Sequence, residues 1–235
     1  SLGAEPVIEL QTNFGGGKTH SMLALYHLCS GTPLDQLPGL DQVCSEAKIN
    51  SIPKASRAVL VGTAFNPSKT IIKDDGTEVH TLWGELAWQL GGREAYDYII
   101  ESDRKQVAPG THDLEYLFEK YGPCLILIDE WVAYARQLVS KSDLPAGTYD
   151  SQLSFSQQLT EAAKKVSNHL LNLSKSKQVI CITHLSQIAF NADNHLHISK
   201  YTDGGNTSVK VQYLDENERS KVIKSLFHGE QVGLT

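Results

Sequence analysis

Apolar residues in this chain come in short, nearly unbroken runs separated by longer stretches of helical periodicity. Val7-Ile8-Glu9-Leu10, Ala58-Val59-Leu60-Val61, Cys124-Leu125-Ile126-Leu127-Ile128 and Val179-Ile180-Cys181-Ile182 read as strands covered on both faces, the pattern of a parallel sheet. Helical spacing over 20–28, 81–90, 93–103, 111–121, 131–139 and 153–173 alternates with them, as a doubly wound sheet requires. Within 81–90, Leu82, Trp83, Leu86 and Leu90 form a stripe that belongs to the core rather than to a ligand platform. Residues 31–54, with Pro33, Pro38 and Pro53 and little periodicity, read as a surface connection. Asp74-Asp75-Gly76 predicts a small hairpin, and Asp203-Gly204-Gly205-Asn206 a second one followed by a charged helix from about 215 to 227.

The ends of two strands carry the chemistry. After the first comes Phe14-Gly15-Gly16-Gly17-Lys18-Thr19-His20, opening a helix. Glycines without a Cβ let backbone N–H groups close around phosphate oxygens, and the helix dipole adds to the anion site. Lys18 can reach the β- and γ-phosphates, and the Thr19 hydroxyl can ligate Mg²⁺. The stretch reads as a phosphate-binding loop for ATP, although Thr12 stands where the usual pattern begins with glycine. The strand at 124–128 ends in Asp129-Glu130, at the sheet edge where open α/β folds bind ligands. Asp129 is the candidate Mg²⁺ carboxylate, and Glu130 the group that orients or deprotonates the attacking water. Gly15-Gly16-Gly17 as an ordinary turn, or Asp129-Glu130 as a solvated one, is the plainer reading of each motif; their pairing favours the site. The run at 178–182 ends in Thr183-His184. In such a core its tip faces the γ-phosphate, which makes His184 a candidate sensor of that phosphate.

Composition narrows the class. The chain has 235 residues and a net charge of −6, which fits one α/β domain and argues against a broad basic nucleic-acid surface. No run approaches a membrane span, and Cys29, Cys44, Cys124 and Cys181 lack paired metal spacing. A reduced, cytoplasmic setting is expected, without membrane contact. The opening Ser1-Leu2-Gly3 reads as a processed or excised start.

Two resemblances add to this. Phe14-Gly15-Gly16-Gly17-Lys18-Thr19-His20, Val61-Gly62-Thr63-Ala64, Thr81-Leu82-Trp83-Gly84-Glu85-Leu86-Ala87 and Ile126-Leu127-Ile128-Asp129-Glu130-Trp131, with the helix start at 155–163, resemble the N-terminal ATPase region of a large bacterial family of unknown function. That family is linked to DNA methylases and phage defence, and the resemblance implies Lys18, Thr19, Asp129 and Glu130 as nucleotide residues. Residues from about 167, with Gln178-Val179-Ile180-Cys181-Ile182-Thr183-His184 and Leu214-Asp215-Glu216-Asn217-Glu218-Arg219, are similar to the C-terminal lobe of the RecN DNA-repair ATPases, which are SMC-like and ABC-type. There the corresponding histidine contacts the γ-phosphate, implying that role for His184. Ser186 stands where that family has proline, and no ABC signature precedes Asp129.

The expectation is one P-loop NTPase domain over 1–235. It is a three-layer αβα fold of the catalytic-glutamate type, with a mainly parallel sheet of order 5-1-4-3-2 and a C-terminal hairpin plus helix. Its parts at 1–166 and 167–235 come from two lineages, as an engineered or a natural chimera. ATP and Mg²⁺ are the expected ligands. Phe14, Gly15, Gly16, Gly17, Lys18, Thr19 and His20 hold the nucleotide, Thr19 and Asp129 the metal, and Glu130, Lys18 and His184 serve hydrolysis. A homodimer or larger oligomer through the nucleotide site could supply an arginine in trans; Arg136, on a helix surface, is a candidate that is more simply solvated. DNA enters only indirectly. The rival is a non-catalytic nucleotide-binding module; a DNA-repair or phage-defence fragment acting within a larger assembly is the third reading.

Overall fold

A computed structural model describes residues 6–11, 17–47, 49, 52, 54–173, 194–203 and 206–221. The strand Cys124–Asp129 (β5) pairs in parallel with Ser56–Val61 (β2), in a register that sets Val61 beside Asp129. Every residue of β5 except Asp129 is buried, and its alternation splits it between two apolar clusters. Cys124, Ile126 and Ile128 face the larger cluster, while Leu125 and Leu127 join Ile8 and Met22 in the smaller one. Met22 belongs to the helix Lys18–Leu28 (α1), and Ile8 to the strand Ile8–Gln11 (β1). Helices therefore cover both faces of β5, which is why its sequence is apolar throughout.

The larger cluster draws on Leu82–Arg104 (α3), Thr111–Tyr121 (α4), Trp131–Arg136 (α5) and Tyr149–Leu173 (α6). Leu82, Trp83, Leu86 and Leu90 are all buried there, as their spacing predicts. Trp83 and Trp131 each pack against Phe155 of α6, with ring centroids 5.5 and 5.8 Å apart. The helix expected over 131–139 ends at Arg136, and the one expected from 153 begins at Tyr149. That earlier start has a local cause: the Thr148 hydroxyl accepts from Ser151 N and the Ser151 hydroxyl from Thr148 N, a reciprocal cap four residues upstream.

Helix α3 leaves helical geometry at Gly91 (φ −147°) and Gly92 (φ 63°, ψ −146°), separating arms at 82–90 and 93–104 as the sequence predicts. The backbone at Gly92 is one that only glycine adopts readily. Thr81 N donates to Asp103 across 22 residues at 2.8 Å. A straight helix would hold two such residues about 33 Å apart. The arms therefore fold back on each other, and the fully buried Asp103 becomes a cap for the start of its own helix.

The hairpin of Ile71–Ile72 (β3) and Glu78–Val79 (β4) forms where expected. So does that of Asn194–Asp203 (β6) and Asn206–Tyr213 (β7), followed by helical residues 216–221. Its first strand does more than turn back: β6 also pairs in parallel with β1, Ile8 opposite Asn194, so the hairpin extends the sheet of β1. Among the described residues of 31–54 are two helical elements that the composition does not suggest. Leu34–Gln36 makes a 3₁₀ turn and Leu40–Glu46 a short helix (α2), whose start Asp41 secures by accepting from Gly39 N at 3.0 Å. The strand expected at 178–182 lies outside the described residues.

Among the described residues, the edge of β2 away from β5 is met by a side chain rather than a strand. Gln89 of α3 accepts from Val59 N (2.6 Å) and donates to Val59 O (3.0 Å), pairing as a neighbouring strand would. Glu85 fixes the Gln89 amide at 2.8 Å and meets Lys73 of the small hairpin at 2.5 Å. Gln89→Ala strips both Val59 groups of their partners and is expected to cost about 1–3 kcal/mol. Urea unfolding should show a lower midpoint at unchanged slope.

Candidate functional site

The site is assembled from the start of α1 and the end of β5. Gly17 caps α1 with φ 84°, a left-handed conformation that suits glycine, and its carbonyl accepts the first helical bond from Ser21 N at 2.9 Å. Lys18 follows half-buried, then Thr19 and His20, both exposed. The Thr19 hydroxyl donates to Asp129 Oδ2 at 3.3 Å, across 110 residues of chain. The other carboxylate oxygen, Oδ1, accepts from Glu130 N at 3.0 Å.

Glu130 caps α5 with φ 52° and ψ 30°, a left-handed conformation costing a non-glycine residue about 1–3 kcal/mol. Two contacts hold it there. Its carbonyl accepts from Tyr134 N at 3.3 Å and presses against Gly62, which follows β2. A Cβ on Gly62 would run into that carbonyl and sit 3.0 Å from Tyr134 Cβ. Gly62→Ala is expected to displace the Glu130 backbone and to lower stability by about 1–3 kcal/mol. A thermal melt reads the second effect, and shifts in the Glu130 and Trp131 amide resonances read the first.

From Thr19 and Asp129 a cleft of about 380 Å³ runs along α1 between Met22, Tyr26 and Val59 to Arg57. The Arg57 guanidinium lies 4.0 Å from the centroid of the Tyr26 ring and donates to Tyr26 O at 3.0 Å. No sequence motif points to this end of the cleft, and Val61-Gly62-Thr63-Ala64, quoted for its family resemblance, does not mark Gly62 as the contact behind Glu130. A glycine directly after a buried strand was the available signal. Of the residues expected at the site, Gly17, Lys18, Thr19, His20, Asp129 and Glu130 fall in described segments, and Thr19, Asp129 and Glu130 come together by direct bonds. Phe14, Gly15, Gly16 and His184 lie outside the described residues. Arg136 is exposed at the end of α5. Cys29, Cys44 and Cys124 form no disulfide, and among the described residues no helix is long and apolar enough to cross a membrane.

Comparison with known proteins matches residues 3–187 to the DUF499 N-terminal domain. The chain belongs to this family. The DUF499 match takes in both sequence motifs and reaches past residue 166, where the sequence places the change of lineage. A shorter stretch is similar to DNA repair protein RecN: 36% identity over 70 residues to that of Treponema pallidum and of Bacillus subtilis, and 39% over 72 residues to that of Rickettsia prowazekii. These alignments cover 30–31% of this DUF499 chain and only 12–13% of the RecN proteins.

Proposed function

We propose that this chain is an ATP-binding P-loop domain that hydrolyses ATP with Mg²⁺, slowly in isolation. The observation that carries the reading is the Thr19–Asp129 hydrogen bond, which joins the end of the glycine-rich loop to the acidic strand end. A hydroxyl and a carboxylate are the hard oxygen donors that Mg²⁺ takes, usually with waters completing its shell. A bound Mg²⁺ would neutralise phosphate charge. Lys18 and the N–H groups of residues 15–19 bind and orient the phosphates; Thr19 and Asp129 would hold the metal. Glu130, set apart from Asp129 by its left-handed backbone, takes the proton from water, and His184 senses the γ-phosphate.

Two features of the sheet support a three-layer fold of order 5-1-4-3-2. In that order the acid-bearing strand neighbours strand 2, and the P-loop strand neighbours strand 5. The parallel pairs β2–β5 and β1–β6 supply those two adjacencies. The remaining strand of that order is the one expected from the sequence over 178–182, outside the described residues. An arginine supplied in trans is worth roughly 10³–10⁵ in rate in such enzymes, so the isolated chain turns over slowly. A homodimer or larger oligomer through the nucleotide site would supply it. The RecN-like stretch favours a second reading, in which the domain acts on DNA within a larger assembly; we read the chain as a chimera of the two lineages.

Calorimetry with ATP and Mg²⁺ tests the proposal. Lys18→Ala is expected to weaken ATP binding at least about tenfold with the fold intact by circular dichroism. Equal affinity in the two proteins overturns the site. Binding without turnover above background would favour the non-catalytic module, and salt-dependent duplex binding would favour the DNA reading.

A further inference from the structure

Behind Glu130 the structure holds a second cavity, of about 270 Å³, where the segment after β2 meets α5. Phe65, Asn66, Lys69, Thr70, His80 and Tyr134 are among the residues lining it. In a chain of net charge −6, none of the lining residues is acidic. Their polar atoms point to one class of ligand. Asn66 Oδ1 is already taken by Ser68 N at 2.9 Å, leaving the Asn66 amide as a donor. Lys69 brings an ammonium group, and Thr70 a hydroxyl. His80 Nδ1 bonds Asp103 Oδ2 at 2.9 Å, which leaves Nε2, in the neutral ring, to accept from a P–OH of the ligand. Asp103 lies behind His80 with its oxygens taken by His80 N, Thr81 N, the Thr81 hydroxyl and the Tyr96 hydroxyl, so the positive charge that holds an anion against it comes from Lys69.

We propose that this cavity is a binding site for a phosphate-sized oxyanion, free or carried on a small phosphomonoester, and that its occupancy moves Glu130. The link is the shared wall. Phe65 and Tyr134, both lining the cavity, meet edge to face with ring centroids 6.5 Å apart. Gly62, three residues before Phe65, and Tyr134 N are the two groups that hold the Glu130 carbonyl. An anion that draws Asn66 and Lys69 toward His80 shifts the segment that presses on Glu130. The consequence for hydrolysis rests on the ATPase reading; the binding itself does not.

Titrating the full chain with inorganic phosphate, and separately with glycerol phosphate, while recording backbone amide resonances tests both parts. Saturable shifts are expected at Thr70, His80 and Tyr134, with the Glu130 amide moving at the same midpoint. Lys18→Ala should leave these shifts in place, since that change weakens only the P-loop. Lys69→Gln, at an exposed position, should raise the midpoint at least about tenfold without loss of fold. Shifts that vanish in Lys18→Ala, persist unchanged in Lys69→Gln or never saturate overturn the site. A still Glu130 amide beside moving Thr70 and Tyr134 overturns the coupling. A response to glycerol phosphate alone assigns the site to a phosphomonoester, and a response to both to the free anion. None of these readouts uses turnover, so a failed titration and a failed ATPase assay remain distinct results.

Discussion

Glu130→Gln is expected to bind ATP as the parent does and to lose at least about 10²-fold in turnover. A positioned general base contributes roughly 10²–10⁴ to such reactions, and glutamine has the shape of glutamate without its basicity. The substitution should leave the backbone alone. The left-handed conformation is imposed by Tyr134 N on one side and Gly62 on the other, and both act on the carbonyl of residue 130 rather than on its side chain. Asp129 likewise keeps its bonds to Thr19 and to the residue-130 N–H. Phosphate release at saturating ATP, measured with nucleotide affinity in the same preparation, separates the base from the binding groups. Turnover within twofold of the parent removes Glu130 from the role.

The second large effect is on stability. Asp103 has no exposed surface and takes hydrogen bonds from five groups: His80 N, His80 Nδ1, Thr81 N, the Thr81 hydroxyl and the Tyr96 hydroxyl. Burial, and then the hydrogen bond to Asp103, push the Tyr96 phenol well above its ordinary value, so it stays protonated and donating. Asp103→Ala leaves those donors facing a void and uncouples the two arms of α3. Breaking a buried, charge-assisted network of this kind costs about 3–5 kcal/mol. For a domain of this size that corresponds to a melting temperature lowered by on the order of 10 °C. A loss below about 1 kcal/mol would mean that the arms are held by apolar contacts alone. Asp103→Asn, with one acceptor oxygen left, should fall between.

What the sequence made legible follows from how locally each feature is encoded. β5 was readable because burial on both faces demands an unbroken apolar run, and the break in α3 because two adjacent glycines interrupt a helical period. The hairpin at 71–79 was readable from Asp74-Asp75-Gly76 for the same reason. Gln89 was not, since a glutamine on a helix gives no sign that it will complete the edge of a strand 30 residues earlier. Asp103 was hidden too: four of its five donors belong to His80 and Thr81, 23 and 22 residues upstream, and in sequence it is one carboxylate in the charged Glu101-Ser102-Asp103-Arg104 stretch. The helix at Leu40–Glu46 was masked by the prolines on either side of it. At the site, the residue types announced themselves through Lys18-Thr19 and Asp129-Glu130. Gly62 did not, because it works by having no side chain.

The two long-range bonds described above close loops of very different size. The bond from Thr81 to Asp103 spans 22 residues, and that from Thr19 to Asp129 spans 110. Closing the larger loop costs more chain entropy, and contacts of short span form sooner. The helical arms of α3 can therefore come together early in the chain's assembly, whereas the two halves of the candidate site meet only after β5 has joined the sheet. Under the ATPase reading, retention of Mg²⁺ and nucleotide becomes a mark of a finished molecule, and the ligand adds its binding energy to the complete fold alone.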